Sequence, residues 1–418
     1  MCDAGHGGEA QDPKAQAAPD KNLACAEIIS PEFRSTGVCR VRVLHLYSGN
    51  LQGGAEKALL ALAAQRELCP EMDCVFALCF DGRLAAKLRA TGVQVHILGK
   101  VRLRYPWTVW RARSRLRKLL RSSPPFDVAV THSTWLHVVF GPAVRQAGIR
   151  LCFWARNAFI RPTMVDRLAA RTRPDRVLAN SNFTLSTLDR LLPGIPAQVV
   201  YNPLTPIPAV DRSAVRQRVR QCMGCSPSQT VILIGARFEE WKGHELLIDA
   251  LSRLKGLHWQ LWVAGGVQRQ AEERHLARLK LRVRQGGIGE QVQWLGPRDD
   301  IPSLLAAADI HCQPNTAPEP FGNVFIEALQ VGVPTVTTRL GAAPEIIDQT
   351  CGVLVPPADP QALADALESL MASDARASFS GGPARAHAMC CPTQQLRRTA
   401  HALADPRSFR SVREPALV

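Results

Sequence analysis

Apolar positions first gather at Val41-Arg42-Val43-Leu44-His45-Leu46-Tyr47, a short run closed by Ser48-Gly49-Asn50. A β-rich run of that length, bounded by turn residues, predicts a buried strand. Gly53-Gly54 and a helical period from about Ala55 to Glu67 follow. The alternation then repeats, with strand-like runs near 74–80, 94–98, 127–131, 150–154, 176–180 and 197–201. Helical patterns separate most of them, as at 108–121 and 135–147. Asn202-Pro203, Pro206 and Pro208 interrupt this series. A second begins at Thr230-Val231-Ile232-Leu233-Ile234-Gly235 and continues near 259–264, 291–295, 309–313, 334–338 and 353–355. Strands alternating with helices predict parallel sheets covered on both faces. The expected fold class is α/β, with two doubly wound Rossmann-like domains facing a central cleft. The expected limits are a flexible leader over 1–38, domains over 39–205 and 206–385, and a basic helix and tail over 386–418.

Composition agrees with two globular domains: 418 residues, 46% apolar and 21% charged. No run of about 18 uncharged apolar residues predicts a membrane span. Asp3, Glu9, Asp12 and Lys14 stand where a secretory signal would carry an apolar stretch, so a cytoplasmic location is expected. The 13 cysteines are scattered, and Cys222 and Cys225 form a CxxC without the second pair that a zinc ribbon needs. They read as free thiols, those in apolar runs, such as Cys79 and Cys152, as small core residues. No metal site is expected.

A net charge of +15 favours anionic partners. Nine Lys or Arg and no acid lie between Lys100 and Arg121, with Trp107 and Trp110 among them. Two readings stay open for residues 100–121. One is a patch for an anionic membrane surface, with Trp at the interface. The other is a solvated helix face whose Trp rings pack inward. No nucleic-acid partner is expected, because no RRM, KH, helix-turn-helix or zinc-finger pattern occurs.

In open parallel sheets ligands bind beyond the carboxyl ends of the strands. Four groups of residues fall there. Gly53-Gly54-Ala55-Glu56 can bring backbone N–H groups close to an anion, or simply form a turn. Arg237, Lys242 and Gly243 follow the first strand of the second series, where a guanidinium fork and an ammonium can grip a diphosphate. In Pro318-Glu319-Pro320-Phe321-Gly322-Asn323-Val324-Phe325-Ile326-Glu327, the prolines hold Glu319 outside a helix that carries Glu327. If wholly helical, the two carboxylates would stand about 12 Å apart, which suits two ends of one extended ligand. His132 ends a strand of the first series and is either a structural or a functional imidazole.

Taken in order, these residues resemble the family-4 retaining glycosyltransferases of the GT-B fold from about residue 41 to 385. Glu319 to Glu327 matches the family's E-x7-E motif, with Ala328-Leu329 and Gly332-Val333-Pro334 behind it. Arg237 and Lys242-Gly243 match its Arg–Lys-Gly pair, Gly53-Gly54-Ala55-Glu56 its glycine loop, and Asn202-Pro203 its interdomain Asn motif. The resemblance implies transfer of a sugar from a UDP- or GDP-linked donor to a glycan or lipid-linked acceptor, retaining and metal-independent, with no further cofactor. It assigns acceptor binding to the first domain and donor binding to the second. It implies catalytic roles for Glu319, His132, Arg237 and Lys242. It places Gly54, Arg237, Lys242, Phe321, Gly322, Asn323, Val324 and Glu327 on the donor. Cell-surface polysaccharide or glycolipid synthesis, on the inner face of a membrane, is the implied setting.

The sequence departs from that pattern at Ala236 and Ala342, where glycine is usual, and at Arg156-Asn157, where the family often has His-Asp. An arginine there is suited to an acceptor phosphate. A catalytically inert GT-B module that binds nucleotide sugars is the alternative, and the intact Glu319, Glu327, Arg237 and Lys242 weigh against it. The missing GxGxxG after the first strand argues against a nicotinamide dehydrogenase.

Overall fold

The computed structural model describes residues 40–49, 53–205 and 211–404. The expected leader, the stretch 206–210 of the linker and the tail beyond 404 lie outside the described residues.

The first sheet has seven strands: β1 (Val41–Tyr47), β2 (Met72–Leu78), β3 (Gln94–Ile97), β4 (Val128–Thr131), β5 (Arg150–Ala155), β6 (Arg176–Ala179) and β7 (Ala197–Val199). They are ordered β3-β2-β1-β4-β5-β6-β7, with every pairing parallel. The second sheet has six: β8 (Thr230–Gly235), β9 (Trp259–Ala264), β10 (Val292–Gly296), β11 (Ile310–Cys312), β12 (Thr335–Thr338) and β13 (Gly352–Val355). Their order is β10-β9-β8-β11-β12-β13, again all parallel. The central strands are buried almost throughout, which is why they read as continuous apolar runs rather than alternating ones.

Strand order reverses between β1 and β4 in the first sheet and between β8 and β11 in the second. Such switch points open a crevice at the carboxyl ends. Gly53-Gly54 follows β1, His132 follows β4, Arg237 follows β8, and Glu319 follows β11.

The carboxyl-terminal segment is expected as a basic helix and tail, and is described as far as Ala404. It forms two helices, Gly382–Cys390 and Pro392–Ala404. Ala386, Met389 and Cys390 of the first join a cluster with Phe325, Ile326 and Leu329 of the second domain. The second crosses back to the first domain, where Leu396, Ala400, Ala402 and Leu403 enter the core around β1 and β2. Its basic residues hide a 3.6-residue apolar stripe, since Arg397 and His401 stay on the outer face.

The described cysteines are all free; Cys79 and Cys152 are buried and Cys222 is exposed. Among the described residues no cluster of His, Cys, Asp or Glu could hold a metal ion, and no helix is long and apolar enough to cross a membrane.

Candidate functional site

The loop after β8 gains its shape from one glycine. Gly243 has φ +79, and a Cβ there would fall 1.9 Å from the carbonyl oxygen of Pro314. Only glycine lets the chain lie against the backbone that leaves β11. The amide of Thr316 donates to the Trp241 carbonyl at 2.8 Å and fastens the two loops. Lys242 is thereby carried to Glu319, with Nζ 2.5 Å from Oε2 and 3.8 Å from the centroid of the Trp241 ring.

Glu319 is held from behind by a second such contact. Gly341 has φ +65, and a Cβ would stand 2.4 Å from the Glu319 nitrogen. Ala342 beside it donates its amide to the Glu319 carbonyl at 2.9 Å. At φ −82, Ala342 needs no glycine, so this departure from the family pattern leaves the loop intact. The Pro320 carbonyl accepts from Ser181 Oγ at 2.6 Å and from Thr184 Oγ1 at 3.2 Å, which ties the Glu319 turn to the first domain.

Gly322 caps the Asn323–Gln330 helix, and Phe321 is buried beside Tyr201. A helix start leaves N–H groups without intrahelical acceptors, here those of Asn323 and Val324, where an anion is favoured. The Asn323 side chain is taken up in a link between domains. Asn202 Nδ2 donates to Asn323 Oδ1 at 2.9 Å, and Asn323 Nδ2 donates to the Gly54 carbonyl at 2.9 Å. One turn along, Glu327 meets Lys57 of the Gly54–Ala64 helix at 2.6 Å, while its other oxygen, Oε2, is buried without a partner. Glu319 and Glu327 thus face different cations. They are not a proton-sharing pair.

Arg237 is engaged as well. It lies 2.9 Å from Glu239 and 3.3 Å from Glu272. Lys242 and Arg237 both lie in the loop after β8, Lys242 paired with one carboxylate and Arg237 with two.

His132 is buried at the carboxyl end of β4. It is 2% exposed, ringed by His45, Tyr47 and Trp154. Its Nδ1 accepts from Arg156 Nε at 3.2 Å, which leaves Nε2 to donate to His45 Nδ1 at 3.0 Å. Both nitrogens are spent inside the protein, so His132 orients Arg156 from the floor of the cleft. Burial, and then the Arg156 charge, hold His132 far below the usual imidazole range and push His45 down to about 3. Nearby, Tyr47 donates to Glu56 at 2.6 Å, and burial raises the Glu56 carboxyl.

Two further contacts join the domains. Glu345 accepts from the amides of Asn182 and Phe183 at 2.9 and 2.5 Å, capping a first-domain helix from the second domain. Arg83 pairs with Asp299 at 2.6 Å. Lys57 and this Glu345 cap escaped sequence reasoning in their partners, because those lie 270 and about 163 positions away along the chain.

The basic segment forms the Pro106–Ser122 helix. Trp107 is 59% exposed and Trp110 65%, so neither packs inward. Arg111, Arg115, Lys118 and Arg121 continue the same exposed face. On the Met164–Ala170 helix, Met164 and Leu168 are exposed too.

Comparison with known proteins bears on this geometry. Residues 53–206 match the family model described as Glycosyltransferase Family 4, and residues 228–373 match Glycosyl transferases group 1. A phosphatidyl-myo-inositol mannosyltransferase of Mycobacterium leprae is 37% identical over 151 residues, covering 35% of this chain and 38% of that protein. A D-inositol 3-phosphate glycosyltransferase of Corynebacterium jeikeium is 33% identical over 218 residues, 50% of this chain and 51% of that one. A lipopolysaccharide core biosynthesis mannosyltransferase, LpsB, of Rhizobium meliloti is 27% identical over 56% of this chain and 65% of its own. The chain thus spans at most about two thirds of these relatives and about half of the second. Among solved structures, Anabaena HepE with UDP and glucose superposes with a TM-score of 0.76 at 22% identity, over 87% of this chain and 100% of that one. WaaG, a glycosyltransferase of lipopolysaccharide biosynthesis, gives 0.64 at 16%, over 87% and 99%. The fold is GT-B, and the matches support a glycosyltransferase of the family-4 type.

Two expectations follow from the geometry. Replacing Lys242 with Met strands a mostly buried carboxylate, which costs about 3–5 kcal/mol, whereas Lys57→Ala breaks a half-exposed pair worth about 1 kcal/mol at most. Urea unfolding of the two variants checks this, and equal losses would contradict it. Acid sensitivity is the second. The folded state keeps His45 and His132 neutral, while the unfolded chain protonates them below about 6.5. Stability is then complete above 6.5 and is lost as pH falls from there toward 3. The slope reaches about 1.4 kcal/mol per pH unit for each ring. Unfolding measured at stepwise lower pH should show this loss, and His45→Asn should lessen its slope.

Proposed function

We propose that this chain transfers a sugar from a nucleoside-diphosphate donor, UDP- or GDP-linked, to a glycan or lipid-linked acceptor, with retention of anomeric configuration and without a catalytic metal. The observation that carries the reading is the glycine-set contact of Lys242 with Glu319, with Arg237 in the same loop after β8 and with Asn323, beyond Glu319, bonded to Gly54 of the first domain.

In this reading the donor lies along the Asn323–Gln330 helix. The diphosphate displaces carboxylates from Arg237 and Lys242, and the two cations then stabilise its charge as the sugar bond breaks. That positive charge is what a metal would otherwise supply. Glu319, freed from Lys242, accepts hydrogen bonds from the sugar hydroxyls. Glu327 presents its unpartnered Oε2 to the ribose. Amides at Phe321, Gly322, Asn323 and Val324 contact sugar and phosphate, and Gly54 closes from the other side. The attacking hydroxyl approaches on the face the diphosphate leaves, which takes its proton. Catalysis is then positioning and charge stabilisation. Domain 39–205 holds the acceptor and domain 206–385 the donor.

The names of the relatives, an inositol-lipid and a lipopolysaccharide-core enzyme among them, favour a glycolipid or cell-surface polysaccharide setting. The exposed Trp107, Trp110, Arg111, Arg115, Lys118 and Arg121 suit an anionic bilayer, with rings at the interface and cations on head groups. In this reading the chain works at the cytoplasmic face of a membrane.

A thermal-shift screen against UDP, GDP, ADP and CMP in EDTA tests donor binding. A ligand at about 100 times its Kd adds roughly 2.7 kcal/mol. One nucleoside diphosphate should stabilise the protein, and Glu327→Ala should lose most of that gain; silence with all four would overturn the reading. Flotation with phosphatidylcholine vesicles tests the membrane face. Binding should require added phosphatidylglycerol, weaken with salt and fall in a Trp107→Ala/Trp110→Ala variant. Equal binding to neutral vesicles would contradict an electrostatic surface.

A further inference from the structure

Arg156 follows β5 directly, at the strand ends that line the cleft, and is 8% exposed. Its guanidinium lies over the Trp154 ring, 4.5 Å from the centroid. Nε donates to His132 Nδ1 at 3.2 Å and Nη1 to Asn202 Oδ1 at 2.6 Å. Nη2 is buried and has no acceptor. An imidazole, an amide and an indole are all neutral here. The acidic groups that act on Arg156 from nearby, Glu56 and Tyr47, are bonded to each other.

A guanidinium withdrawn from water needs a negative partner, from the protein or from a ligand. Among the described residues none forms an ion pair with Arg156. The protein does hold the side chain rigidly, with the ring beneath it and two of its nitrogens fixed. The third, Nη2, has no hydrogen-bond partner among the described residues. The position is also connected. Asn202, which takes Nη1, reaches Asn323 at the start of the helix proposed to meet the donor, and Asn323 reaches Gly54.

We propose that Arg156 recognises an anionic group, a phosphate or a carboxylate, carried by the sugar acceptor, with Nη2 as the donor to it. The inference rests on the transferase reading above and names a substrate feature that the reading leaves open. A planar fork matches both oxyanions, and one arm on Asn202 couples an occupied anion site to the link between the domains. An uncharged acceptor offers Nη2 only a neutral oxygen and leaves the buried guanidinium charge unbalanced, so the site favours an anionic one. Arg156→Lys keeps the charge but loses the fork, and Arg156→Gln loses both.

The test uses the full chain saturated with the nucleoside diphosphate that stabilises it, so that the Arg237–Lys242 region is filled. Inorganic phosphate, glucuronate and methyl glucoside are then titrated by thermal shift. Phosphate or glucuronate should stabilise the wild type and methyl glucoside should not; which of the two acts identifies the anion. Apparent affinity should fall on the order of tenfold or more in Arg156→Gln and less in Arg156→Lys. Equal responses to charged and neutral probes, or an undiminished response in Arg156→Gln, would overturn the proposal. Should Arg156→Gln fail to fold, Arg156→Lys and the wild-type probe series decide the matter. A preference for UDP-glucuronate over UDP-glucose that vanishes with Arg156 would put the anion on the donor and overturn the acceptor assignment. Nucleotide binding with silent anionic probes removes this inference alone, whereas silence toward every nucleotide removes the transferase reading and this inference with it.

Discussion

Parallel sheets leave their strand ends bare, and that constraint organises the molecule. Helices cover both faces of each sheet, so polar groups collect beyond the strand ends, at the carboxyl ends above all where the domains meet. Contacts that cross between the domains gather there. Lys57 follows β1 and meets Glu327 behind β11; Ser181 follows β6 and meets Pro320; Arg83 follows β2 and meets Asp299 behind β10. The carboxyl ends of the two sheets therefore oppose each other across the Asn202–Asn323–Gly54 link.

Charge at this junction is arranged in pairs of unequal depth. Lys242–Glu319 is mostly buried and fixed by backbone contacts at two glycines, so its geometry is set before any ligand arrives. Lys57–Glu327 is half-exposed and spans the domains, so it can open at little cost. Arg237 is shared between two carboxylates. Arg156 is the contrast, since its hydrogen-bond partners are neutral. Under the proposed function a diphosphate entering the first set would exchange one anion for another, whereas an anion reaching Arg156 would fill a position without an acceptor among the described residues.

The strand pattern was legible because buried parallel strands are continuous apolar runs between turn residues: β1, β8 and β9 begin and end where the apolar runs do. The Arg237, Lys242, Glu319 and Glu327 positions were legible from ordered spacing, and the structure brings Lys242 and Glu319 into contact. A helix was expected near the carboxyl end, but the domain that Pro392–Ala404 covers was not legible, because arginines mask its stripe and nothing local names its partner. The depth of His132 was missed for a related reason. A strand-end histidine reads alike whether its ring faces solvent or is roofed by His45, Tyr47 and Trp154, residues from two other strands. Nothing in the sequence singles out Lys57, since its partner comes from the other domain.

The central claim is that the cations behind β8 stabilise a departing nucleoside diphosphate. The most direct measurement is the rate of nucleoside diphosphate release from the preferred nucleotide sugar, with acceptor-containing membranes present, for the wild type and Arg237→Gln. Loss of a preorganised group aimed at developing charge lowers turnover by about 10²–10³-fold. A drop of that size, with folding stability retained, is the predicted result. Turnover that stays near the wild-type rate in Arg237→Gln would contradict the account.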